Sequence, residues 1–203
     1  MRRPWWITVV ILATGVAAYA AAVLLLPHFG APFVAGLKAH LSVPLWMHVG
    51  GGTLALATGA WQLHPGLRAR APWFHRWLGR LYVAAVLVGA IGAGIMAPRS
   101  QEGVVTHFGF GILAVAWFGT TMAAYRAIRR RDLPSHRRWM LRSYALTFAA
   151  VTLRVYLPLS LVAGLPFGIS YQVISWLCWV PNLLVVERFV IPNARAVPIE
   201  VAT

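Results

Sequence analysis

Long apolar stretches alternate with short basic or polar segments along almost the whole chain. Each stretch reaches roughly 20 residues, the length at which a helix crosses about 30 Å of hydrocarbon. Because a backbone inside a membrane must satisfy its own hydrogen bonds, each stretch predicts a transmembrane helix. We number these stretches segments 1 to 6: Trp5–Leu26, Val43–Leu63, Trp73–Ala97, Val104–Tyr125, Trp139–Leu161 and Phe167–Val190.

The composition supports a lipid environment. Apolar residues make up 60% of the 203 residues and charged residues only 11%, whereas soluble domains are about 25% charged. The fold class is therefore an all-α, polytopic membrane protein, with residues 1–203 forming a single membrane domain. The acidic residues number only four, which excludes paired-carboxylate and HExxH chemistry within the membrane. The single cysteine, Cys178, excludes an internal disulfide.

The formal net charge of +14 reflects basic residues at the ends of the apolar stretches rather than a nucleic-acid surface. Basic residues mark cytoplasmic loops, and here they concentrate on one side. We therefore expect a bacterial inner-membrane protein with cytoplasmic N- and C-termini. The small residues Ala20–Ala22 are also typical of a signal peptide, but the apolar run continues to Leu26, which favours a retained helix. The cytoplasmic set is Arg2, Arg3, Arg68, Arg70, Arg76, Arg80, Arg126, Arg129, Arg130, Arg131, Arg137, Arg138, Arg142, Arg188 and Arg195, against Lys38 and Arg99 outside.

The chain also repeats itself. The stretches His48–Ala57 in segment 2 and His107–Ala116 in segment 4 both read H-x-G-x-G-x-L-A-x-A. The match resumes before segments 3 and 5, where Pro72 and Pro134 are each followed by His, Arg, Trp and Arg. Such self-similarity indicates two copies of one structural unit.

Each unit is a helical hairpin, with residues 43–97 forming the first and residues 104–161 the second. Two hairpins that enter from the same side pack as a parallel repeat about an axis along the membrane normal. This arrangement predicts that segments 2–5 form a pseudo-two-fold four-helix bundle. It also pairs four histidines, His48 with His107 near the outer face and His75 with His136 near the inner face.

Two facing imidazoles suit a haem, which needs one axial nitrogen from each side. Gly52 and Gly111 lie four residues after the outer histidines, where small residues leave room for a flat macrocycle between helices. Close helix packing is the alternative explanation for these glycines. Zinc fits less well because it wants three or four ligands. Two haem b groups, ligated by His48/His107 and His75/His136, are therefore the preferred cofactors.

Haem propionates need cationic partners, and several arginines lie near the predicted histidine pairs. Arg154 lies five helical turns after His136, about 27 Å higher on the same face and thus near the outer pair. It is expected to anchor an outer propionate or an anionic substrate, or else to snorkel to the outer surface. The arginines around the inner pair are Arg76, Arg80, Arg137, Arg138 and Arg142.

The stretches H-R-W-x-G-R-x-Y (His75–Tyr82) and H-R-R-W-M-x-R-S-Y (His136–Tyr144) resemble the bacterial membrane proteins labelled domain of unknown function 2306. The layout is also similar to that of cytochrome b561 proteins, which have six helices and two haems, one between helices 2 and 4 and the other between helices 3 and 5. In that pattern the two histidine pairs fall at the ligand positions. The resemblance implies a transmembrane oxidoreductase.

The leading hypothesis is a di-haem protein that carries single electrons across the membrane. Quinol suits it as a redox partner because quinol is lipid-soluble; no nucleic-acid partner is expected, and both a monomer and an oligomer are compatible with the layout. One alternative is a haem-free transporter or small-ligand binder with a His- and Arg-lined pathway. Another is a structural subunit of a membrane complex.

Overall fold

The computed structural model describes residues 3–26, 29, 36 and 41–192, and the regular structure in that part of the chain is all helical. Arg2, Lys38 and Arg195, used in the orientation argument, lie outside the described residues. Within the described part, five helices are long and apolar enough to cross a membrane: Trp5–Leu25, Pro72–Arg99, Val104–Arg129, Leu133–Val162 and Phe167–Val190. The all-α, multi-helix membrane class is thus confirmed, whereas the count of six spans and the pseudo-two-fold bundle stay predictions.

Segment 2 is helical but interrupted. It consists of the helix Ser42–Leu45, a π-helical turn at Trp46–Gly50 and the helix Gly51–Gln62, with right-handed helical dihedral angles at both junctions. His48 and three successive glycines make this segment less apolar than the other five. The π-helical turn contains His48, and such turns are frequent at functional sites.

Segments 3 and 5 each begin with a proline in the first helical turn, and a side-chain cap also marks the start of segment 5. Segment 3 is the helix Pro72–Met96, extended by a 3-10 turn at Ala97–Arg99. Segment 5 begins with Leu133–Thr147 and continues as Ala149–Val162. It starts earlier than the predicted Trp139 because Asp132 caps it, its carboxylate accepting the Ser135 backbone N–H at 2.9 Å. The basic residues before Trp139 therefore lie on a helix rather than in a loop.

The remaining long helices frame this region. Segment 1 is the helix Arg3–Leu25, segment 4 is Val104–Arg129, and segment 6 consists of Phe167–Leu177, Val180–Val185 and a π-helical turn at Val186–Val190. A short helix, Pro65–Arg70, joins segments 2 and 3. Segment 2 packs along segment 3, segment 3 along segment 4, and segment 4 along segment 5; segment 1 covers segment 2, and segment 6 covers segments 4 and 5.

Segments 2 and 3 approach each other at glycines. A Cβ atom at Gly51 would lie 2.5 Å from the Ala85 carbonyl oxygen and 2.8 Å from the Gly89 Cα. A Cβ atom at Gly92 would lie 2.7 Å from the backbone nitrogen of His48. The two backbones therefore touch directly beside His48, and any larger side chain at these positions would separate them.

A buried hydrogen-bonded cluster occupies the centre of the protein, between the levels of the two histidine pairs. The Tyr82 hydroxyl bonds with Ser143 at 2.8 Å and with Thr147 at 2.9 Å. The Trp117 indole donates to Thr147 at 2.8 Å, and Thr121 bonds with Ser143 at 2.7 Å. These bonds tie segments 3, 4 and 5 together and satisfy polar groups that lipid would leave unpaired.

Candidate functional site

The outer histidine of the first hairpin lies against segment 3. The Nδ1 atom of His48 is 3.3 Å from the Gly89 carbonyl oxygen, a contact that the close glycine packing permits. A carbonyl partner requires the proton on Nδ1, which leaves the Nε2 lone pair of a neutral imidazole free. Metal-ligating histidines are commonly held in this way.

The outer histidine of the second hairpin is held differently. The Nε2 atom of His107 is 3.0 Å from the Ser100 carbonyl oxygen, just before segment 4 begins. No hydrogen bond or ring contact in the described part of the chain joins His107 to His48. The structure therefore places both outer histidines at the predicted ends of their segments but does not bring them into contact.

The inner histidines interact electrostatically with one another. His75 and His136 are within electrostatic range, although they belong to different hairpins. The Nδ1 atom of His136 is 2.9 Å from the Ala124 carbonyl oxygen, so its Nε2 is available as a ligand. The Nδ1 atom of His75 is buried and has no hydrogen-bond partner. A buried nitrogen without a partner is costly; a metal bound at Nδ1 would satisfy it, whereas a metal bound at the other ring nitrogen would not.

Gln62, at the end of segment 2, supports His75. Its side-chain nitrogen donates to the His75 backbone carbonyl at 3.1 Å. Gly79 lies beside Gln62, since a Cβ atom at Gly79 would be in ordinary contact with the Gln62 side-chain oxygen at 3.4 Å. Gln62 thus fixes the end of segment 2 against the first turn of segment 3. In the sequence, the only sign of this role is that Gln62 lies at the end of an apolar stretch.

The two predicted haem-facing glycines differ in their surroundings. A Cβ atom at Gly52 would meet no heavy atom within 4 Å, and one at Gly111 would meet only the Ala97 Cβ at 3.7 Å. The neighbouring Gly51, by contrast, is fully packed against segment 3. Close helix packing therefore explains Gly51 but not Gly52, whereas Gly111 is in ordinary contact with Ala97.

The predicted propionate partners differ in how they are engaged. Arg76 and Arg80 are exposed at the inner level, with Arg80 lying over the Trp77 ring at 5.1 Å. Arg138 donates to the Ser135 hydroxyl at 2.8 Å. The set near the inner pair thus contains exposed cations that a bound anion can recruit.

Arg142 has a partner that the sequence did not predict. Its guanidinium forms a two-point ion pair with Glu187 of segment 6, with one Nη2–Oε2 distance of 3.0 Å. It also stacks over the Trp139 ring at 4.5 Å. The expected propionate role therefore competes with a protein carboxylate, and Arg142 acts as a tie between segments 5 and 6.

Arg154 lies at the outer level, as its position on segment 5 predicts. It is within electrostatic range of His48, donates to the Ala150 carbonyl at 2.9 Å, and lies over the Tyr19 ring at 5.6 Å. In the described part of the chain it contacts no carboxylate. A partly buried arginine without a carboxylate partner is a candidate for a functional role.

No group of three or more His, Cys, Asp or Glu side chains able to hold a metal ion occurs among the described residues. Axial ligation of haem needs only two protein ligands. The absence of such a cluster therefore does not bear on haem, and at the outer level the His107 Nε2 is held by the Ser100 carbonyl.

Residues 45–191 match the family described as "Predicted membrane protein (DUF2306)". The chain belongs to the DUF2306 family. The matched region of this DUF2306 protein contains all four paired histidines and Arg154. No curated protein and no solved structure matches the chain.

Proposed function

We propose that this DUF2306 protein is a di-haem b electron-transfer protein of the membrane, resembling cytochrome b561. The axial ligands are His48 with His107 at the outer level and His75 with His136 at the inner level. The observation that carries the proposal is the inner pair. Two histidines from different hairpins lie within electrostatic range, one with Nε2 free and the other with a buried, unpartnered nitrogen.

Haem b supplies reversible one-electron oxidation and reduction at its iron. The protein's own part is to hold two such centres at different depths. From His48 to the end of segment 2 is about 15 residues, or roughly 22 Å of helix. In this proposal the hydrogen-bonded cluster around Tyr82 and Trp117 lies between the inner and outer histidine pairs. Its side chains occupy the region between the two haems.

Arginines and glycines complete the two levels in this proposal. Arg76, Arg80 and Arg138 neutralise inner propionates, and Arg154 neutralises an outer one. Gly52, where a Cβ atom would meet nothing within 4 Å, would leave room for the outer macrocycle, with Gly111 at the matching position of segment 4. Arg142 contributes mainly by orienting segment 5 through Glu187.

The orientation and setting belong to the same proposal. Six spans with segments 2–5 as the bundle, cytoplasmic termini and the bacterial inner membrane follow from the charge asymmetry and the repeat. A lipid-soluble quinol is the proposed redox partner. Electrons then cross the bilayer between an inner and an outer centre.

Single histidine replacements test the assignment. His75→Ala and His136→Ala should each remove the same inner haem, and His48→Ala and His107→Ala the same outer one, leaving about one haem per chain. His64→Ala is the matched control and should retain two, because His64 belongs to neither pair. Replacements within a pair that remove different spectral components would contradict the pairing. The inner haem should also be retained more firmly, because the His107 Nε2 must first leave the Ser100 carbonyl.

A haem-free transporter or small-ligand binder is the second candidate. The observation that favours it is the His107–Ser100 contact, which occupies the nitrogen an outer haem requires. It predicts a colourless protein whose substrate flux depends on Arg154 and on imidazole protonation. Flux assays in vesicles with Arg154→Gln distinguish this candidate from electron transfer.

A further inference from the structure

A cleft of about 300 Å³ opens at the inner end of segments 1 and 2, outside the four-histidine region. Its walls are mainly apolar, and its polar side-chain groups include an imidazole and a guanidinium. A volume of this size lies at the small end of ligand pockets, so it admits one ring rather than a whole lipid. The lining residues that matter here are Trp6, Trp61, His64, Gly66, Leu67 and Arg70.

The proton position on His64 is fixed by the fold. Its Nδ1 accepts the backbone N–H of Leu67 at 3.1 Å, capping the short helix Pro65–Arg70. A nitrogen that accepts a hydrogen bond carries no proton, so the ring holds its proton on Nε2. The Nε2–H has no partner among the described residues. His64 therefore presents one hydrogen-bond donor at the cleft.

Aromatic rings hold the other walls. The Trp6 ring lies 4.5 Å from the His64 ring and 5.3 Å from the Trp61 ring, measured between centroids. The Trp6 indole N–H donates to the Ala60 carbonyl at 3.0 Å, which fixes Trp6 against segment 2. A flat apolar ligand thus meets rigid ring faces and edges.

The cleft is linked to the inner histidine pair by a short path. Gln62, two residues before His64, donates to the His75 backbone carbonyl at 3.1 Å. The same side chain packs at Gly79 of segment 3. Gln62 therefore connects the end of segment 2, just before the cleft, with the first turn of segment 3.

We propose that this cleft binds the head group of a membrane quinone. A quinone offers a flat ring for the indoles, a carbonyl acceptor for the His64 Nε2–H, and an apolar tail that stays in the lipid. A phospholipid phosphate fits less well, because phosphate binding relies on several converging donors. Binding itself does not depend on haem, whereas the ligand's role as the electron partner of the inner pair rests on the proposed function.

The test uses the purified full chain in detergent, titrated with a short-chain ubiquinone analogue while quenching of tryptophan fluorescence is followed. His64→Asn keeps a capping acceptor but removes the Nε2–H, and it should weaken saturable quenching about tenfold, as expected for one lost hydrogen bond. Gly66→Ala should also weaken it, since its Cβ would lie 2.9 Å from the His64 ring. Gly94→Ala, whose Cβ meets nothing within 4 Å, is the control.

Equal affinities in the unaltered protein, His64→Asn and Gly66→Ala would overturn the quinone site. Displacement of the analogue by anionic phospholipid, sensitive to Arg70→Gln but not to His64→Asn, would also overturn it and assign the cleft to a lipid head group. Haem is counted on the same preparations. Two haems without quinone binding refute only this inference, and quinone binding without haem refutes only the proposed function.

Discussion

Two adjacent glycines of segment 2 allow a sharp test of the packing. In Gly51→Ala, the new methyl group would lie 2.5 Å from the Ala85 carbonyl oxygen and 2.8 Å from the Gly89 Cα. Both are backbone atoms, which cannot rotate aside as a side chain can. In Gly52→Ala, the same methyl group meets no heavy atom within 4 Å. The two substitutions therefore add the same methyl group, one at a tightly packed position and the other in open space.

The magnitude follows from the contacts. Ordinary van der Waals contact begins at 3.4 Å, whereas the Gly51→Ala methyl group would lie 2.5 Å from the Ala85 carbonyl oxygen. To relieve this contact, segments 2 and 3 must move apart by about 1 Å. Overpacking of this kind costs about 1–3 kcal/mol. The helix preference of alanine over glycine, about 1 kcal/mol, is common to both variants and cancels in their difference. Gly51→Ala should therefore be about 1–3 kcal/mol less stable than Gly52→Ala.

Thermal unfolding in detergent, followed by circular dichroism, measures this difference. For a chain of this size, 1 kcal/mol corresponds to about 2–4 °C in Tm, so a gap near 2 kcal/mol gives roughly 4–8 °C. The preparations must contain equal amounts of any bound haem, because ligands raise Tm. Equal Tm values for the two variants would refute the direct backbone contact between segments 2 and 3.

Three further predictions concern other parts of the fold. Glu187→Gln leaves the partly buried Arg142 without its carboxylate and should destabilise the protein by about 1–2 kcal/mol in denaturant titrations; the double variant Arg142→Gln/Glu187→Gln should recover part of this loss. Tyr82→Phe removes a buried hydroxyl with two partners and should cost about 1 kcal/mol, whereas the exposed Tyr125→Phe should cost nothing measurable in the same assay. Hydrogen bonds from the side chain and backbone of Ser135 lower the pKa of Asp132. The stabilisation by Asp132 is therefore present above the pKa of the unfolded state and is lost as the pH falls through the pKa of the folded state. Asp132→Asn should flatten this part of the acid stability profile, and an unchanged profile would contradict the capping role.

Hydrophobic patterning predicted the segments well because lipid leaves the backbone few options. The bounds of segment 6, Phe167–Val190, agree with the structure, and segment 4 starts at the predicted Val104. Hydrophobic patterning placed the start of segment 5 too late. The arginines before Trp139 interrupt the apolar pattern as a loop would, although they lie on the helix Leu133–Thr147. The pattern also gave no sign of the π-helical turn at His48, because that turn is a change in hydrogen-bond register rather than in composition.

The site was predictable in its residues more than in its contacts. The repeat singled out the four histidines, and helical spacing placed Arg154 near His48, as the electrostatic coupling of the two residues indicates. The pairing of Arg142 with Glu187 was not predictable, because the residues lie on different segments and no periodicity connects them. Trp117 gave one overlooked signal: a tryptophan in the middle of an apolar run needs a partner for its indole N–H.

The central claim is that imidazoles from separate hairpins hold iron porphyrin at two depths. The most direct measurement is a pyridine haemochrome count, with a reduced-minus-oxidised absorption spectrum, on protein purified from haem-replete cells. The account predicts a haem b spectrum and close to two haems per chain. A folded, colourless preparation would contradict it.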